Sequence, residues 1–186
     1  MEFGWPIEAF VHNRNSYKAF FQSDLQRARP SLPRMAAEGT ILKDTDGFII
    51  SVKNEAQRLL DAGPEGWPKD TVDIKRYFIT DALEDFLGSS YRAEDLFIAG
   101  TLAELISEFY LRTNGQWIGA SKWVVRALKR FNGEFADNFV EAFDSFYRTG
   151  DKSKIVSLAD EVLHPYGGRL FAGFSIGKDQ AYSRNC

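Results

Sequence analysis

The chain has 186 residues, is 44% hydrophobic with 16 Phe, 7 Tyr and 4 Trp, and carries a net charge of −3. That length and apolar content suit one good-sized domain with a substantial core and exclude a disordered polypeptide. One cysteine (Cys186) and two histidines (His12 and His164) rule out a disulfide framework, a cysteine zinc site and a histidine-rich metal site. Any metal chemistry would have to use carboxylates and water, which suits Mg²⁺ or Mn²⁺.

In chain order, "WPIEAFVHN" (5–13) reads as a β-strand, with Ile7, Ala9 and Val11 alternating against Glu8, Phe10 and His12. "NRNS" supplies a turn with Ser16 as cap, and a helix follows through "YKAFFQSDLQRA", ending before Pro30. "SLPRMAAEG" predicts a short helix between Ser31 and Gly39. "TILKDTDGFIISV" reads as two short strands about a turn at Asp44 to Gly47, a possible hairpin, and "KNEAQRLLDAG" as a helix closed by Gly63. "PEGWP" then breaks the pattern and is the best domain boundary.

Beyond it the chain turns strongly helical. "KDTVDIKRYFITDALEDFLGS" ends at Gly88, and "RAEDLFIAGTLAELISEFYLRTNG" is apolar on nearly every side, which predicts a central position. "SKWVVRALKRF" comes next. In "GEFADNFVEAFDSFYRTG" residues Phe135, Phe139, Ala142, Phe143 and Phe146 recur at helical spacing, and "DKSKIVSLADEVLHPYGG" is stopped by Pro165 and two glycines. The prediction is mainly α: an antiparallel helical bundle over 69–174, preceded by a small α/β segment over 1–68 and followed by a loose tail over 175–186. No apolar run is long enough to span a bilayer, so a soluble, cytoplasmic protein is expected. The charge balance argues against general nucleic-acid binding but leaves room for a local basic patch.

Three local features could carry chemistry. Glu8 puts a carboxylate at mid-strand, which is costly unless it meets water or a ligand. Arg27, Arg29 and Arg34 cluster beside two prolines, a rigid setting for phosphate or carboxylate contact, with salt bridges to Asp24 and Glu38 as the alternative. Trp117, Lys122 and Trp123 lie between two helices, where the rings could stack a base or sugar and the lysine meet a phosphate; burial in the core is the alternative. Asp81, Asp85, Glu104 and Glu108 pair at i, i+4 spacing and read chiefly as a solvated face. His164 reads as a helix C-terminal residue placed against the macrodipole.

"PIEAFVHNRNSYKAFFQSDLQRARPSLPRMAAEG", "KRYFITDALEDFLGS" and "LRTNGQWIGASKWVVRAL…HPYGGRLF" together resemble the C-terminal part of bacterial nucleotidyltransferase-domain proteins. These belong to the DNA polymerase β superfamily, near the aminoglycoside nucleotidyltransferases. The resemblance runs from about Trp5 to Phe174. It implies Mg²⁺-dependent transfer of a nucleotidyl group from an NTP to a small-molecule hydroxyl, with a helical domain binding the acceptor. It places Glu8 at or near the third metal-binding acid, Arg27, Arg29 and Arg34 toward phosphate, and Trp117, Lys122 and Trp123 toward the acceptor. The family's G-S and D-x-D motifs do not occur ahead of Glu8, because only seven residues precede it. The transfer chemistry is therefore expected to be incomplete or inactive in this chain. The alternative expectation is a non-catalytic helical module whose first strand pairs with a second copy in a homodimer.

Overall fold

The computed structural model describes residues 4–175, and these are mainly helical. The chain divides into two compact units, Met1–Glu65 and Gly66–Cys186, with the division inside "PEGWP". The expected loose tail falls almost wholly on 176–186, outside the described residues, as does Cys186.

The first unit contains α1 (Ser16–Gln26), α2 (Ser31–Glu38) and α3 (Phe48–Ala62). Its core is Tyr17, Phe21, Ala37 and Ala56, with Leu32, Ala36, Phe48, Val52 and Leu59 packed around them. Burying these apolar faces is what holds three short helices, each marginal alone. Two expectations need correction here. Residues 5–13 form no strand: a strand needs an edge to pair with, and no strand exists among the described residues. Trp5, Ile7, Phe10 and Val11 are left exposed, Val11 at 91%. The hairpin about Asp44 to Gly47 is also absent, since Phe48–Val52 are the first turns of α3. Asp46 Oδ1 accepts from the Phe48 amide at 3.2 Å and Asp44 Oδ2 from the Ile50 amide at 3.0 Å. The two carboxylates thus satisfy orphan donors at the helix start, and the negative charge suits that end of the dipole.

The second unit contains α4 (Lys69–Gly88), α5 (Arg92–Thr113), α6 (Trp123–Phe131), α7 (Gly133–Thr149) and α8 (Ser153–Leu163), with a 3₁₀ turn at His164–Tyr166. α4 packs on α5, α7 on both α6 and α8, and α5 also touches α6, α7 and α8. Phe86, Phe109, Phe146, Leu83, Leu102 and Ile106 form its fully buried centre, and all five apolar positions read from α7 are buried. α5 is less enclosed than its composition suggests: Leu96, Phe97 and Thr101 are exposed. Among the described residues no helix is long and apolar enough to cross a membrane.

Lys152, the N-cap of α8, ties three elements together. Its ammonium donates to the Phe86 carbonyl at 2.5 Å, the Ser89 carbonyl at 2.8 Å and Asp95 Oδ1 at 2.8 Å. Two acceptors are carbonyls that the end of α4 would otherwise leave open. The segment after α8 is fastened to α4 in turn. Arg76 donates through Nε and Nη2 to the Gly168 carbonyl at 3.1 and 3.0 Å, and the Leu170 amide donates to Thr80 Oγ1 at 2.9 Å. Gly167 sits at φ 99°, where an added Cβ would also meet the Arg76 guanidinium at 3.1 Å; both facts favour glycine. Tyr77 then stacks on Phe174, with centroids 4.5 Å apart.

Candidate functional site

The sequence-derived candidates fall in separate places. Glu8 is exposed within the irregular segment 5–13. Arg27 donates to Asp24 Oδ1 at 2.6 Å, and Arg34 faces Glu38 at 3.4 Å across one helical turn. Arg29 is exposed on the turn between α1 and α2. That turn is organised by Asp24, which is buried and whose Oδ2 accepts from the Leu32 amide at 2.8 Å, capping α2 from a distance. Arg27 and Arg34 therefore have carboxylate partners of their own. In the second unit, Trp117 is half-buried and Lys122 exposed. Trp123 is 46% exposed, with the Arg126 guanidinium 4.5 Å above its ring. Among the described residues no three His, Cys, Asp or Glu side chains come together to hold a metal. Glu8 contributes a single carboxylate, which does not fit the oxygen cage that Mg²⁺ requires.

A concave site of the second unit lies at the corner between α4 and α5. It is an open groove of about 710 Å³ lined by Glu84, Asp85, Ser89, Glu94, Phe97 and Ile98 among others. The corner exists because α4 stops at Gly88, Ser89 and Ser90 turn the chain, and α5 restarts at Arg92. Ser89 Oγ accepts from the Tyr91 amide at 3.2 Å and donates to Glu94 Oε2 at 3.3 Å, which fixes the α5 side of the groove. Lys152 holds the α4 side through its bonds to the Phe86 and Ser89 carbonyls. Its hydrogen bond to Asp95 holds that carboxyl below the usual carboxylate range, so Asp95 stays charged as part of the frame.

The groove is lined by carboxylates, and besides Lys152 in its frame a cation reaches it from the segment after α8. Arg169 forms a two-pronged contact with Asp160, Nε–Oδ1 at 2.7 Å and Nη2–Oδ2 at 2.9 Å, and reaches Glu84 at 3.5 Å. Asp85 and Glu94 remain with the Phe97 ring, which is 82% exposed. Carboxylates beside an uncovered aromatic face suit an organic cation: charge attraction steers it in, and the ring's negative face receives an ammonium. Of the groove residues only Asp85 stands among the carboxylates singled out in the sequence. Glu84, Glu94 and Phe97 are brought together by the turn at Ser89 and Ser90. Nothing in the sequence marked Phe97 as exposed, since its neighbours Leu96 and Ile98 read as core. Glu108, by contrast, accepts from Lys75 at 2.7 Å, and His164 is the exposed residue closing α8.

No protein-family model, curated protein or solved structure matches the chain.

Proposed function

We propose that this chain is the acceptor-binding portion of a nucleotidyltransferase-like protein, its five C-terminal helices acting as an antiparallel bundle that presents the α4–α5 groove to a cationic small molecule. The acceptor would carry amines for recognition and a hydroxyl to receive the nucleotidyl group from an NTP. The observation that carries the reading is the pairing of Asp85 and Glu94 with the uncovered Phe97 ring in one groove. The resemblance of "KRYFITDALEDFLGS", which contributes Glu84 and Asp85, supports it independently. Because the described residues do not converge on Mg²⁺, the reading assigns this chain acceptor binding and no metal-dependent step.

Calorimetric titration of the full chain with an aminoglycoside tests the reading, with a neutral sugar of similar size as control. Binding should weaken with salt, as expected for exposed charges. Glu94→Gln and Phe97→Ala should each lower affinity roughly threefold. Binding of the neutral sugar with equal strength, or identical affinities in both variants, would refute the groove as acceptor site.

A second reading, a non-catalytic module that forms a homodimer, is favoured by one observation. Trp5, Ile7, Phe10 and Val11 present apolar side chains to solvent along an irregular segment. Light scattering after size exclusion decides it: a monomer at every concentration removes this reading.

A further inference from the structure

From Phe109 to Gly133 the chain carries Arg112, Lys122, Arg126, Lys129 and Arg130 and no acidic residue, in a protein whose net charge is −3. Four of these five cations belong to α6 and its N-cap. At about 100° per residue, Lys129, Lys122, Arg126 and Arg130 fall in that order around an arc of roughly 100°, with Trp123 at its edge. Leu128, fully buried, lies on the opposite side, so the arc is the solvent side of a helix firmly seated on its apolar face. Lys122, Arg126, Lys129 and Trp123 are exposed.

We propose that this outer face of α6 binds single-stranded nucleic acid without sequence preference. Lys122 and Arg126 succeed one another after four residues, or about 6 Å along the axis, and with Lys129 beside them make a short file of cations suited to successive phosphates. Trp123, 46% exposed, already carries the Arg126 guanidinium 4.5 Å from its ring centroid, and a base can extend that stack beside the file. Lys129 meets Asp137 at 3.2 Å, but both side chains are well exposed, so the pair exchanges readily for a phosphate contact. The arc has no Asn, Gln, Ser or Thr, the side chains that read base edges alongside arginine; this points to backbone and stacking contact. An acidic peptide would satisfy the cations and leave Trp123 unused, which is why a nucleic acid fits better. The face is separate from the α4–α5 groove, and the inference stands or falls independently of the acceptor reading.

The test is fluorescence anisotropy of a labelled oligothymidine with the full chain over a series of KCl concentrations. Two to three phosphate contacts give a slope of log K against log salt of about −1.4 to −2, at roughly 0.7 per contact for a single strand. Arg126→Ala or Lys122→Ala should each reduce that slope by about 0.7, and Trp123→Ala should weaken binding fivefold or more without changing the slope. These positions are exposed, so the variants should keep the parent's melting temperature; Arg126→Lys, which retains the charge, should keep the slope. Absence of binding at low salt would overturn the proposal. So would a slope unmoved by the alanine variants, displacement by polyglutamate at matched charge, or equal binding of a duplex.

Discussion

The fastening of the C-terminal segment to α4 yields a sharp prediction at Thr80, which is 1% exposed. Its hydroxyl donates to the Arg76 carbonyl at 2.9 Å and accepts from the Leu170 amide at 2.9 Å. Thr80→Val keeps the shape and removes both bonds. The bond to Arg76 is a back-bond within the helix, and losing it is close to neutral. The accepted bond contributes about 1 kcal/mol, and a half-buried amide without an acceptor costs about 1 kcal/mol more. The added methyl returns up to about 0.8 kcal/mol. The net loss is about 1 kcal/mol, which lowers Tm by about 3–5 °C for a unit of this size. Thr80→Ser loses a comparable amount through its missing methyl but keeps the acceptor. Melting alone therefore does not separate the two variants. Hydrogen exchange does: the Leu170 amide should lose protection in the valine variant and retain it in the serine variant. Equal protection of Leu170 in both would show that the Thr80 hydroxyl does not hold the segment, and the reasoning would fail.

Asp24→Ala should cost about 1–2 kcal/mol through the lost cap of α2, while Asp24→Asn should cost less because it keeps an acceptor; exchange at the Leu32 amide reports both. Asp73, Asp95 and Asp151 are held below the ordinary carboxyl value of 3.8, by the Lys69 and Arg76 side chains, by Lys152, and by the Ser153 amide and hydroxyl respectively. A carboxyl lowered in the folded state contributes stability above its unfolded value and loses it as pH falls through the folded one. Tm should therefore drop below about pH 4, and Asp95→Asn should flatten that acid limb while melting lower at neutral pH; an unchanged limb would contradict the Lys152 contact. Burial, followed by the hydrogen bond to Glu55, raises the Tyr17 phenol above 10.0. Its contribution is complete below pH 10 and lost above it, so Tyr17→Phe should remove the high-pH loss, as read by ultraviolet phenolate titration alongside melting.

Much of the helical layout was legible because the signals agreed. α4 closes at its own glycine, α7 shows the full i, i+4, i+7 series of aromatics, and Pro165 follows the end of α8. The start of α3 was not legible, since "FIISV" is a β-branched run that reads locally as a strand. Only the longer register of Phe48, Val52, Ala56 and Leu59 reveals the helix, together with two aspartates placed to cap it. The segment 5–13 misled for the opposite reason: its alternation is real, but alternation specifies a strand only when an edge awaits it. The arginines near Pro30 sat beside Asp24 and Glu38 in the sequence, and those short separations were the better guide for Arg27 and Arg34. The groove was least legible, because Glu84, Glu94 and Phe97 meet only through a two-serine turn whose path no local pattern specifies.

Lys152 also bears on the order in which the protein takes shape. Its acceptors lie 66, 63 and 57 residues earlier in the chain. While the polypeptide is being made, the end of α4 and the start of α5 emerge well before the ammonium that joins them. Until then the Phe86 and Ser89 carbonyls can only be met by water, and the corner can fray. The groove walls thus become rigid in a late, non-local step, when α8 docks and closes a long loop. A chain released before residue 152 would form α4 and α5 as a loose pair, with the acidic corner still unset.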